Sequence, residues 1–437
     1  MIPFSAEPTQ TLGSTGGRCM YAQVDRLREE GPAVPVRLPE GVGAWSVTRG
    51  DVVRRLLTHP GVTRNLKKNV PSYRPGSVPW LAPWVDVDSM ATAEGKDHAR
   101  LRKLITPAFS PRRVDAMHGR LDTLVSRLLD DLAGRPGDEV VDLHAAYSYR
   151  VPTEMICDLF GVPGSQRPEV LRLFRAVGQT DVSEVESIAV NDALVAEMRS
   201  LITTKRDEPG EDLTSFLLAA HEEDGEEAGE EYREGAGEGG RVAAGEQQPL
   251  TEHELISTLL LMIGGGSTTT INLIDHTVRE LLTHPDQLKT VMADPGRWSD
   301  AVEESMRVHC PVMHLPMRWA VEDIDLGEGV LIRAGDAILI CYGAHGRDPA
   351  VHADPGTFDI DRASKEHIAF GLGAHFCPGS RLARLEAQVA LPALFERFPR
   401  LELAVAPDEI EPVPTFIGNG IGSLPVYLRH DGGQVTA

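Results

Sequence analysis

The hydrophobic and polar positions along the chain predict a mainly helical protein with small β-sheets. Apolar residues recur at helical spacing from residue 98 to residue 220, with a polar break near residues 179–183. Alternating apolar residues predict two strands, at residues 34–38 and 44–48, around a turn of glycine and proline. Further short strands are expected between residues 321 and 340 and at the end of the chain.

One long helix is predicted from residue 252 to residue 284. Thr251 and Glu254 form a capping-box pattern at its start, and a proline ends it. Its centre is apolar on nearly every face, so we expect it to cross the interior. Glycines occupy residues 264–266 at this centre, and each mid-helix glycine costs about 1 kcal/mol relative to alanine. The helix is therefore expected to loosen there, either for the close approach of a flat ligand or for tight packing against another helix.

The composition is that of an ordinary globular protein, and the charge narrows the set of partners. The 437 residues are 41% hydrophobic, which is ample for a buried core. The net charge of -22 disfavours nucleic acids and anionic membrane surfaces as partners. No apolar run reaches the length of a membrane span, and residues 1–17 lack the pattern of a signal peptide. We expect a cytoplasmic, monomeric protein.

A single domain is expected over residues 31–430, after an N-terminal extension, residues 1–30, that carries no assignable pattern. Residues 222–248 differ in character, because glutamate, glycine and alanine dominate them. Ten acidic residues and two arginines lie between Glu222 and Glu246. Such a segment cannot bury a core, so it is predicted to be a disordered acidic insertion within the domain.

Five cysteines lie far apart, which argues against a disulfide framework. One of them, Cys377, lies in the string Phe-Gly-Leu-Gly-Ala-His-Phe-Cys-Pro-Gly, which directly precedes a helix predicted over residues 380–398. Glycines let such a backbone turn tightly and approach a flat ligand. A helix N-terminus favours the thiolate, which as a haem-iron ligand promotes cleavage of the O–O bond. Pro378 has no N–H, so the sulfur has one donor fewer, which is expected to lower the potential of a bound iron.

This string, with Phe370, Gly371, His375, Cys377 and Gly379 in place, resembles the haem-binding signature of the cytochrome P450 family. The resemblance covers residues from about 34 to 428, and its pattern is that of soluble, actinobacterial-type members. It implies a mainly α fold shaped as a triangular prism, with small β-sheets and a long central helix that crosses over the haem. It also implies haem b, iron protoporphyrin IX, as the cofactor and Cys377 as the proximal ligand of its iron.

Other residues match the family in order along the chain. Glu304 and Arg307 stand three apart on one predicted helix face, where they can pair. The resemblance implies that this pair is a buried structural clamp. The two haem propionates need arginine or histidine donors. The resemblance assigns this role to His98, Arg102, Arg318 and His375.

The centre of the long helix departs from the family pattern, which has an acid before a threonine on the oxygen side of the haem. The string Asn-Leu-Ile at residues 272–274 sets a register in which Gly265 and Gly266 are the small residues, Thr269 is the oxygen-side threonine and Thr268 replaces the acid. A register shifted by one puts Ser267 at the acid and Thr268 at the threonine. Neither register holds a carboxylate. Hydroxyls are poor proton sources, so we expect protons to arrive through a water chain or a polar group of the substrate.

The resemblance places the substrate pocket among the loop of residues 71–90, the break at 177–185, the long helix, and residues 312–315 and 416–417. These segments predict an apolar pocket for a lipophilic molecule, such as a steroid, a polyketide or another natural product. The candidate lining residues are Trp80, Trp84, Val85, Gly264, Val312, Met313, His314, Leu315 and Phe416. His314 is either a polar contact for the substrate or a packed core histidine.

The resemblance implies a monooxygenase that uses O₂ to hydroxylate or epoxidise such a molecule. No flavin or nicotinamide fingerprint is present, so electrons are expected from a ferredoxin and an NAD(P)H-dependent ferredoxin reductase. Five arginines either form a basic docking face near the cysteine or are scattered and solvated: Arg100, Arg112, Arg113, Arg381 and Arg384. Two alternatives stay open. One is haem-thiolate chemistry of another kind, by oxidative coupling, desaturation or peroxide-driven turnover, and the other is a haem- or ligand-binding protein without catalysis.

Overall fold

The computed structural model describes residues 4–13, 17–71, 73–177, 183–222 and 250–429. These residues form a mainly helical fold with small β-sheets, as the pattern predicts. The acidic insertion predicted at 222–248 and the polar break predicted near 179–183 lie outside the described residues, apart from residues 222 and 183 at their edges.

The helices among the described residues follow the amphipathic segments of the sequence. In chain order they are α1 (Gly17–Glu30), α2 (Gly50–Leu57), α3 (Leu66–Asn69), α4 (Ala82–Val85), α5 (Gly95–Ile105), α6 (Pro111–Ala116), α7 (His118–Ala133), α8 (Arg150–Leu159), α9 (Arg167–Val177), α10 (Glu184–Asp207), α11 (Leu213–Glu222), α12 (Glu252–Thr283), α13 (Pro285–Ala293), α14 (Trp298–Val308), α15 (Tyr342–Gly346) and α16 (Ser380–Arg397). Short 3-10 turns lie at Pro39–Gly41, Thr106–Phe109, Pro295–Arg297 and Gly373–His375, and a π-helical turn spans His144–Ser148.

The strands of the described residues are short and form sheets beside the helices. They are β1 (Gln10–Thr11), β2 (Val34–Arg37), β3 (Gly43–Val47), β4 (Val62–Thr63), β5 (Val140–Asp142), β6 (Arg318–Ala320), β7 (Ile324–Gly327), β8 (Val330–Ile332), β9 (Ala337–Ile340), β10 (Glu402–Leu403) and β11 (Pro425–Tyr427). The largest sheet has the order β1-β2-β3-β9-β6-β4, and two smaller sheets have the orders β10-β11-β5 and β7-β8. In the largest sheet, β4 and β6 are antiparallel, with Thr63 opposite Trp319.

The long helix α12 runs through the interior without a break. Thr251 Oγ1 accepts from the Glu254 N–H at 3.1 Å, and the Glu254 carboxylate accepts from the Thr251 N–H at 2.9 Å, so the predicted capping box is present. The expected loosening at residues 264–266 is wrong, because the helix continues through the glycines. Close packing of Ile156 of α8 and Phe174 of α9 against the glycines offsets their low helix propensity there.

The main core lies among α7, α12, α14 and α16, and α16 contacts the other three. On α7, Leu121, Leu124, Val125 and Leu128 recur at helical spacing and are buried against this core. Each buried side chain of this size stabilises the fold by about 1.5–3 kcal/mol relative to an exposed position. Packing of this kind positions the central helix and α16 relative to each other.

The N-terminal residues, for which the sequence suggests no pattern, contribute to the largest sheet. Strand β1 pairs in parallel with β2, with Gln10 opposite Val36. Helix α1 buries Met20, Val24 and Leu27 in the core. Among the described residues, no helix is both long and apolar enough to traverse a bilayer.

Candidate active site

The loop from Phe370 to Gly379 is closed by its own backbone. Gly371 and Gly373 have φ angles of 75° and 74°, a left-handed conformation that strongly favours glycine. The Cys377 N–H donates to the Phe370 carbonyl oxygen at 2.9 Å, and the Phe376 N–H donates to that of Gly373 at 3.1 Å. These turns deliver Cys377 to the N-terminus of α16.

The sulfur of Cys377 faces backbone donors. The N–H groups of Gly379 and Ser380 bond to it and lower the pKa of the thiol, while burial, the larger influence, raises that pKa. Because Pro378 lacks an N–H, these two residues supply the donors. Cys377 is partly exposed, whereas Cys157 is buried and burial raises the pKa of its thiol to about 12. Coordination of a metal ion deprotonates a thiol outright, so Cys377 has the exposure and the setting of a ligand.

Basic side chains from four segments converge beside this loop. The His98 and His375 rings meet edge to face, with their centroids 4.6 Å apart. Burial is the largest cause that lowers the pKa of His375 to about 3. The positive charges of Arg64, Arg318 and Arg102 contribute to this lowering of the pKa. Arg64 and Arg318 are each only 5% exposed. The structure thus brings together all four residues assigned to the propionates and adds Arg64.

Some hydrogen-bond donors of these basic groups are unpaired. Within the described residues, buried His98 Nε2 and Arg64 Nε lack a hydrogen-bond partner. Arg102 donates to the Phe376 carbonyl oxygen at 2.6 Å. The nearby Glu94 carboxylate accepts from the Arg64 backbone N–H and the Thr63 hydroxyl. Unpaired buried donors among several cations are the environment that two buried carboxylates require, so the residues present fit the propionates of haem.

Glu304 and Arg307 form the buried ion pair expected from their spacing. Both side chains are 0% exposed, and the guanidinium donates to the two carboxylate oxygens at 2.7 and 2.8 Å. Arg307 also donates to the carbonyl oxygens of Gly346, Pro355 and Thr357 at 2.5–2.8 Å. The pair is therefore buried, and it ties α14 to the end of α15 and to the segment that follows α15.

The oxygen-side stretch of α12 has one open face in the middle of a buried helix. Gly265 and Thr268 are exposed and Thr269 is partly exposed, whereas Ser267 is buried and its hydroxyl donates to the Ile263 carbonyl oxygen. The Thr269 hydroxyl donates to the Gly265 carbonyl oxygen at 3.0 Å. The open face holds the threonine of either predicted register, which is Thr269 in the first and Thr268 in the shifted one.

The three glycines of this stretch serve different neighbours. A Cβ at Gly264 would lie 2.7 Å from the Phe174 ring of α9, and one at Gly266 would lie 2.7 Å from Ile156 Cδ1 of α8. A Cβ at Gly265 would meet no described atom within 4 Å. Helix packing thus explains Gly264 and Gly266, and only Gly265 leaves room on the open face for a cofactor.

Four of the predicted pocket residues lie together in one hydrophobic cluster: Trp80, Trp84, Val85 and Phe416. The Trp80 and Phe416 rings meet edge to face at 5.6 Å. The segment that carries the other predicted apolar residues runs beside the Phe416 segment, since the Met313 N–H donates to the Ile417 carbonyl oxygen at 2.9 Å. Met313 packs against Met20 and Val24 of α1, Leu315 packs against the β-sheet cluster, and Val312 forms a bridge with Gly418.

His314 is a packed core histidine in this structure. It is 1% exposed, and its Nδ1 bonds to the Phe416 carbonyl oxygen at 2.7 Å. Burial lowers the pKa of His314 to about 4, so the ring is neutral at pH 7. The hydrogen bond from His314 holds the segment of Phe416 in place and therefore helps to position the aromatic wall of the predicted pocket.

Three of the five arginines of the predicted basic docking face are paired with carboxylates. Arg381 pairs with Asp115 at 2.8 Å, Arg384 with Glu303 at 2.5 Å, and Arg100 with Glu254. Arg113 also has a partner. Carboxylates from distant segments thus pair with Arg381, Arg384 and Arg100, which residue types counted along the sequence do not reveal.

Sequence reasoning missed two buried residues of the site. Arg64 follows β4 and lies beside Arg318 because β4 and β6 pair, a long-range pairing of two-residue and three-residue strands without a clear signal. Glu386 on α16 is 1% exposed and bonds to Thr270 of α12. A glutamate among arginines on a helix is typical of a surface position. Only its spacing of four residues from the apolar Leu382, which puts both on one helix face, indicated burial.

Comparisons with known proteins agree with this geometry. The family model described as Cytochrome P450 matches residues 66–294 and 299–422. The chain is 40% identical to 2-hydroxy-5-methyl-1-naphthoate 7-hydroxylase of Streptomyces carzinostaticus, over 98% of each chain. It is 34% identical to 6-deoxyerythronolide B hydroxylase of Saccharopolyspora erythraea, over 93% of this chain and 96% of that protein.

Solved structures agree over the same extent. CYP154A1 from Streptomyces coelicolor A3(2) has a TM-score of 0.86 at 40% identity, covering 96% of this chain and 100% of that one. CYP154C4 from a Streptomyces species, with testosterone bound, has a TM-score of 0.86 at 34% identity, covering 97% and 99%. The similarity therefore extends over nearly the whole chain.

Proposed function

The chain belongs to the cytochrome P450 family and is a haem monooxygenase, and from this premise we propose that it hydroxylates a lipophilic natural product of the polyketide or steroid class. The main structural support for a haem site is the position of Cys377 at the N-terminus of α16, beside a cluster of buried basic groups with unpaired donors. The substrate class rests on relatives named for a naphthoate and a macrolactone, and on a structural relative with a bound steroid.

Haem b is the proposed form of the cofactor, and when bound it supplies the activation of O₂. Cys377 would ligate its iron from the α16 side. Arg64, Arg318, His98, His375 and Arg102 would hold its propionates, which would satisfy His98 Nε2 and Arg64 Nε. Electrons are proposed to come from a ferredoxin and its NAD(P)H-dependent reductase.

The substrate is proposed to rest against the wall formed by Trp80, Trp84, Val85 and Phe416. Aromatic side chains contribute large apolar area at fixed geometry, which suits a rigid ring system. The test is a panel of 2-hydroxy-5-methyl-1-naphthoate, 6-deoxyerythronolide B and testosterone. Each probe is added to the haem-loaded protein, and the Soret shift and hydroxylated products are measured. A Soret shift and hydroxylation of at least one probe with ferredoxin, reductase and NAD(P)H are expected, whereas no shift and no product with any probe would overturn the proposed class.

Thr269 is proposed to hold the water or substrate hydroxyl through which protons reach the oxygen side. Its hydroxyl lies on the open face of α12, bonded to the Gly265 carbonyl oxygen. Thr269→Ala is expected to lower the fraction of consumed electrons that appears in product. Thr283→Ala is the matched control, because Thr283 bonds to a carbonyl of the same helix at its far end. Equal coupling in the two variants would remove this role from Thr269.

Peroxide-driven turnover is the second candidate, and one observation favours it. Within the described residues, the open face of α12 offers Gly265, Thr268 and Thr269 but no carboxyl group. Hydrogen peroxide brings its own protons and electrons, so it needs less proton delivery from the protein. Product yields with peroxide alone and with ferredoxin, reductase and NAD(P)H separate the two, and a higher yield with peroxide would favour this candidate.

A further inference from the structure

One arginine contacts the chain on both sides of Cys377. The Arg384 guanidinium of α16 lies over the Phe370 ring, 4.5 Å from its centroid, and its Nη1 donates to the Ser380 carbonyl oxygen at 3.4 Å. The Phe370 carbonyl oxygen accepts from the Cys377 N–H at 2.9 Å, and Ser380 is the first residue of α16. Arg384 therefore contacts the loop that precedes the cysteine and the start of the helix that follows it.

Two further residues hold the Arg384 guanidinium in place. Its Nε and Nη2 donate to the two carboxylate oxygens of Glu303 on α14 at 2.5 and 2.9 Å. The His367 Nε2 donates to Glu303 Oε2 at 3.0 Å, because the other ring nitrogen, Nδ1, accepts from the Ala369 N–H at 3.2 Å. A forked pair fixes the plane of a guanidinium as well as its position, so Arg384 has one orientation against the loop.

The two charges of this ion pair lie at different places relative to the cysteine loop. Burial raises the pKa of Glu303, but the hydrogen bonds from Arg384 and His367 outweigh it and bring the pKa to about 2, so the carboxylate is ionised. The side chains of Arg384 and Glu303 are 32% and 28% exposed, so solvent screens their charges only in part. The positive member of the pair is the one that contacts the residues on either side of Cys377.

We propose that Arg384 is a positioning residue that raises the reduction potential of the iron bound to Cys377, and that Glu303 limits this effect. The inference rests on the proposed role of Cys377 as the iron ligand. Reduction adds one electron, and hence one negative charge, to the iron site. A fixed positive charge nearby favours the reduced form and a fixed negative charge disfavours it, by the same Coulomb interaction. The two members of the pair therefore act with opposite signs.

The first test is a redox titration of the haem-loaded protein without substrate or partner proteins. Arg384→Gln is expected to lower the ratio of reduced to oxidised iron at a fixed potential by about three-fold or more, which corresponds to about 28 mV for a one-electron couple. Arg384→Lys keeps the charge and is expected to restore most of that ratio. Glu303→Gln removes the negative charge and is expected to raise the ratio above that of the wild type.

Arg397→Gln is the matched control for the titration. Arg397 lies on the same helix as Arg384, over the Phe398 ring and 3.7 Å from Asp130, but in the last turn of α16. It thus shares the residue type, the aromatic contact and the acidic partner without contacting the cysteine loop. The ratio of reduced to oxidised iron is expected to stay at the wild-type value in this variant.

The second test reads the bond between iron and sulfur. Resonance Raman spectra of the ferric, haem-loaded proteins are compared at the Fe–S stretching band. A positive charge near a thiolate withdraws electron density from its bond to the metal, so Arg384→Gln is expected to raise the frequency and Glu303→Gln to lower it. A merely structural role for the ion pair would move the band in the same direction in both variants, because each substitution breaks the same pair.

The signs of the two shifts decide the proposal. A wild-type ratio in Arg384→Gln, or shifts of the same sign in Arg384→Gln and Glu303→Gln, would overturn the role of Arg384. If Arg384→Gln does not retain haem, Glu303→Gln decides alone, and a ratio at or below that of the wild type would overturn the role. The proposed ligand is tested separately, since a red-shifted Soret band of the reduced, carbon monoxide-bound protein that persists in Cys377→Ser would contradict Cys377 whatever these shifts are.

Discussion

Arg307→Lys is a sharp test of how the cysteine side of the fold is held together. Arg307 is fully buried and makes five hydrogen bonds, two to Glu304 and three to backbone carbonyl oxygens. A lysine ammonium offers three donors and cannot bind a carboxylate in the same forked geometry. The substitution therefore keeps the charge but removes at least two of the five hydrogen bonds, even though Arg362 also donates to Glu304 and to the Thr357 carbonyl oxygen.

The expected loss follows from those two hydrogen bonds. A hydrogen bond to a charged group contributes about 1.5–3 kcal/mol, so the loss of two costs roughly 3–6 kcal/mol. The free energy of unfolding of a domain is typically about 5–15 kcal/mol, so the substitution removes a large part of it. We expect urea unfolding, followed by far-ultraviolet circular dichroism, to show a much lower midpoint and a lower haem content after purification.

Arg381→Lys is the matched control for this prediction. Its guanidinium is about half exposed and pairs with Asp115, so the same change is expected to alter the free energy of unfolding by less than about 1 kcal/mol. If Arg307→Lys and Arg381→Lys shift the midpoint equally, the buried pair does not hold the fold in the way its geometry indicates.

Three further predictions follow from the site. Pro378→Leu adds a backbone N–H beside the Cys377 sulfur and is expected to raise the haem reduction potential, so an unchanged potential in redox titration would contradict it. Gly265→Ala is expected to raise the free energy of unfolding of the haem-free protein by about 1 kcal/mol, because its Cβ meets no described neighbour. Gly266→Ala is expected to lower that free energy by about 1 kcal/mol, because its Cβ collides with Ile156, and equal urea midpoints for the two variants would refute this. Because the folded-state pKa of Glu386 is raised to about 8, its ionisation in the unfolded chain destabilises the fold as pH rises from about 4.5 to about 8. In Glu386→Gln, the free energy of unfolding should therefore fall less steeply over this range, by about 1.4 kcal/mol per pH unit. Parallel plots of the free energy of unfolding against pH for the wild type and the variant would rule this out.

Local patterns in the sequence predicted much of the fold. The capping box at Thr251 and Glu254, the helical period of α12 and the glycine-rich approach to α16 are short-range signals, and each element is present near its predicted bounds. The burial of Glu304 and Arg307 came from their resemblance to a family motif, because their spacing alone suits a surface pair equally well.

Long-range contacts account for what the sequence analysis missed. Arg64 reaches the basic cluster only because β4 and β6 pair. Arg381 forms an ion pair with Asp115, which lies far away in sequence. The helix stays continuous at Gly264 and Gly266 because Phe174 and Ile156 pack against the space that a side chain would fill. Residue types and spacing do not specify these neighbours, since the fold alone brings them together.

The spectrum of the reduced, carbon monoxide-bound protein tests the central claim most directly. The account predicts the red-shifted Soret band of a thiolate-ligated haem in the wild type and in Cys157→Ser, whose thiol is buried on α8. It also predicts loss of that band in Cys377→Ser, even if haem is retained. A red-shifted band that persists in Cys377→Ser, or that is absent from the haem-loaded wild type, would contradict Cys377 as the ligand.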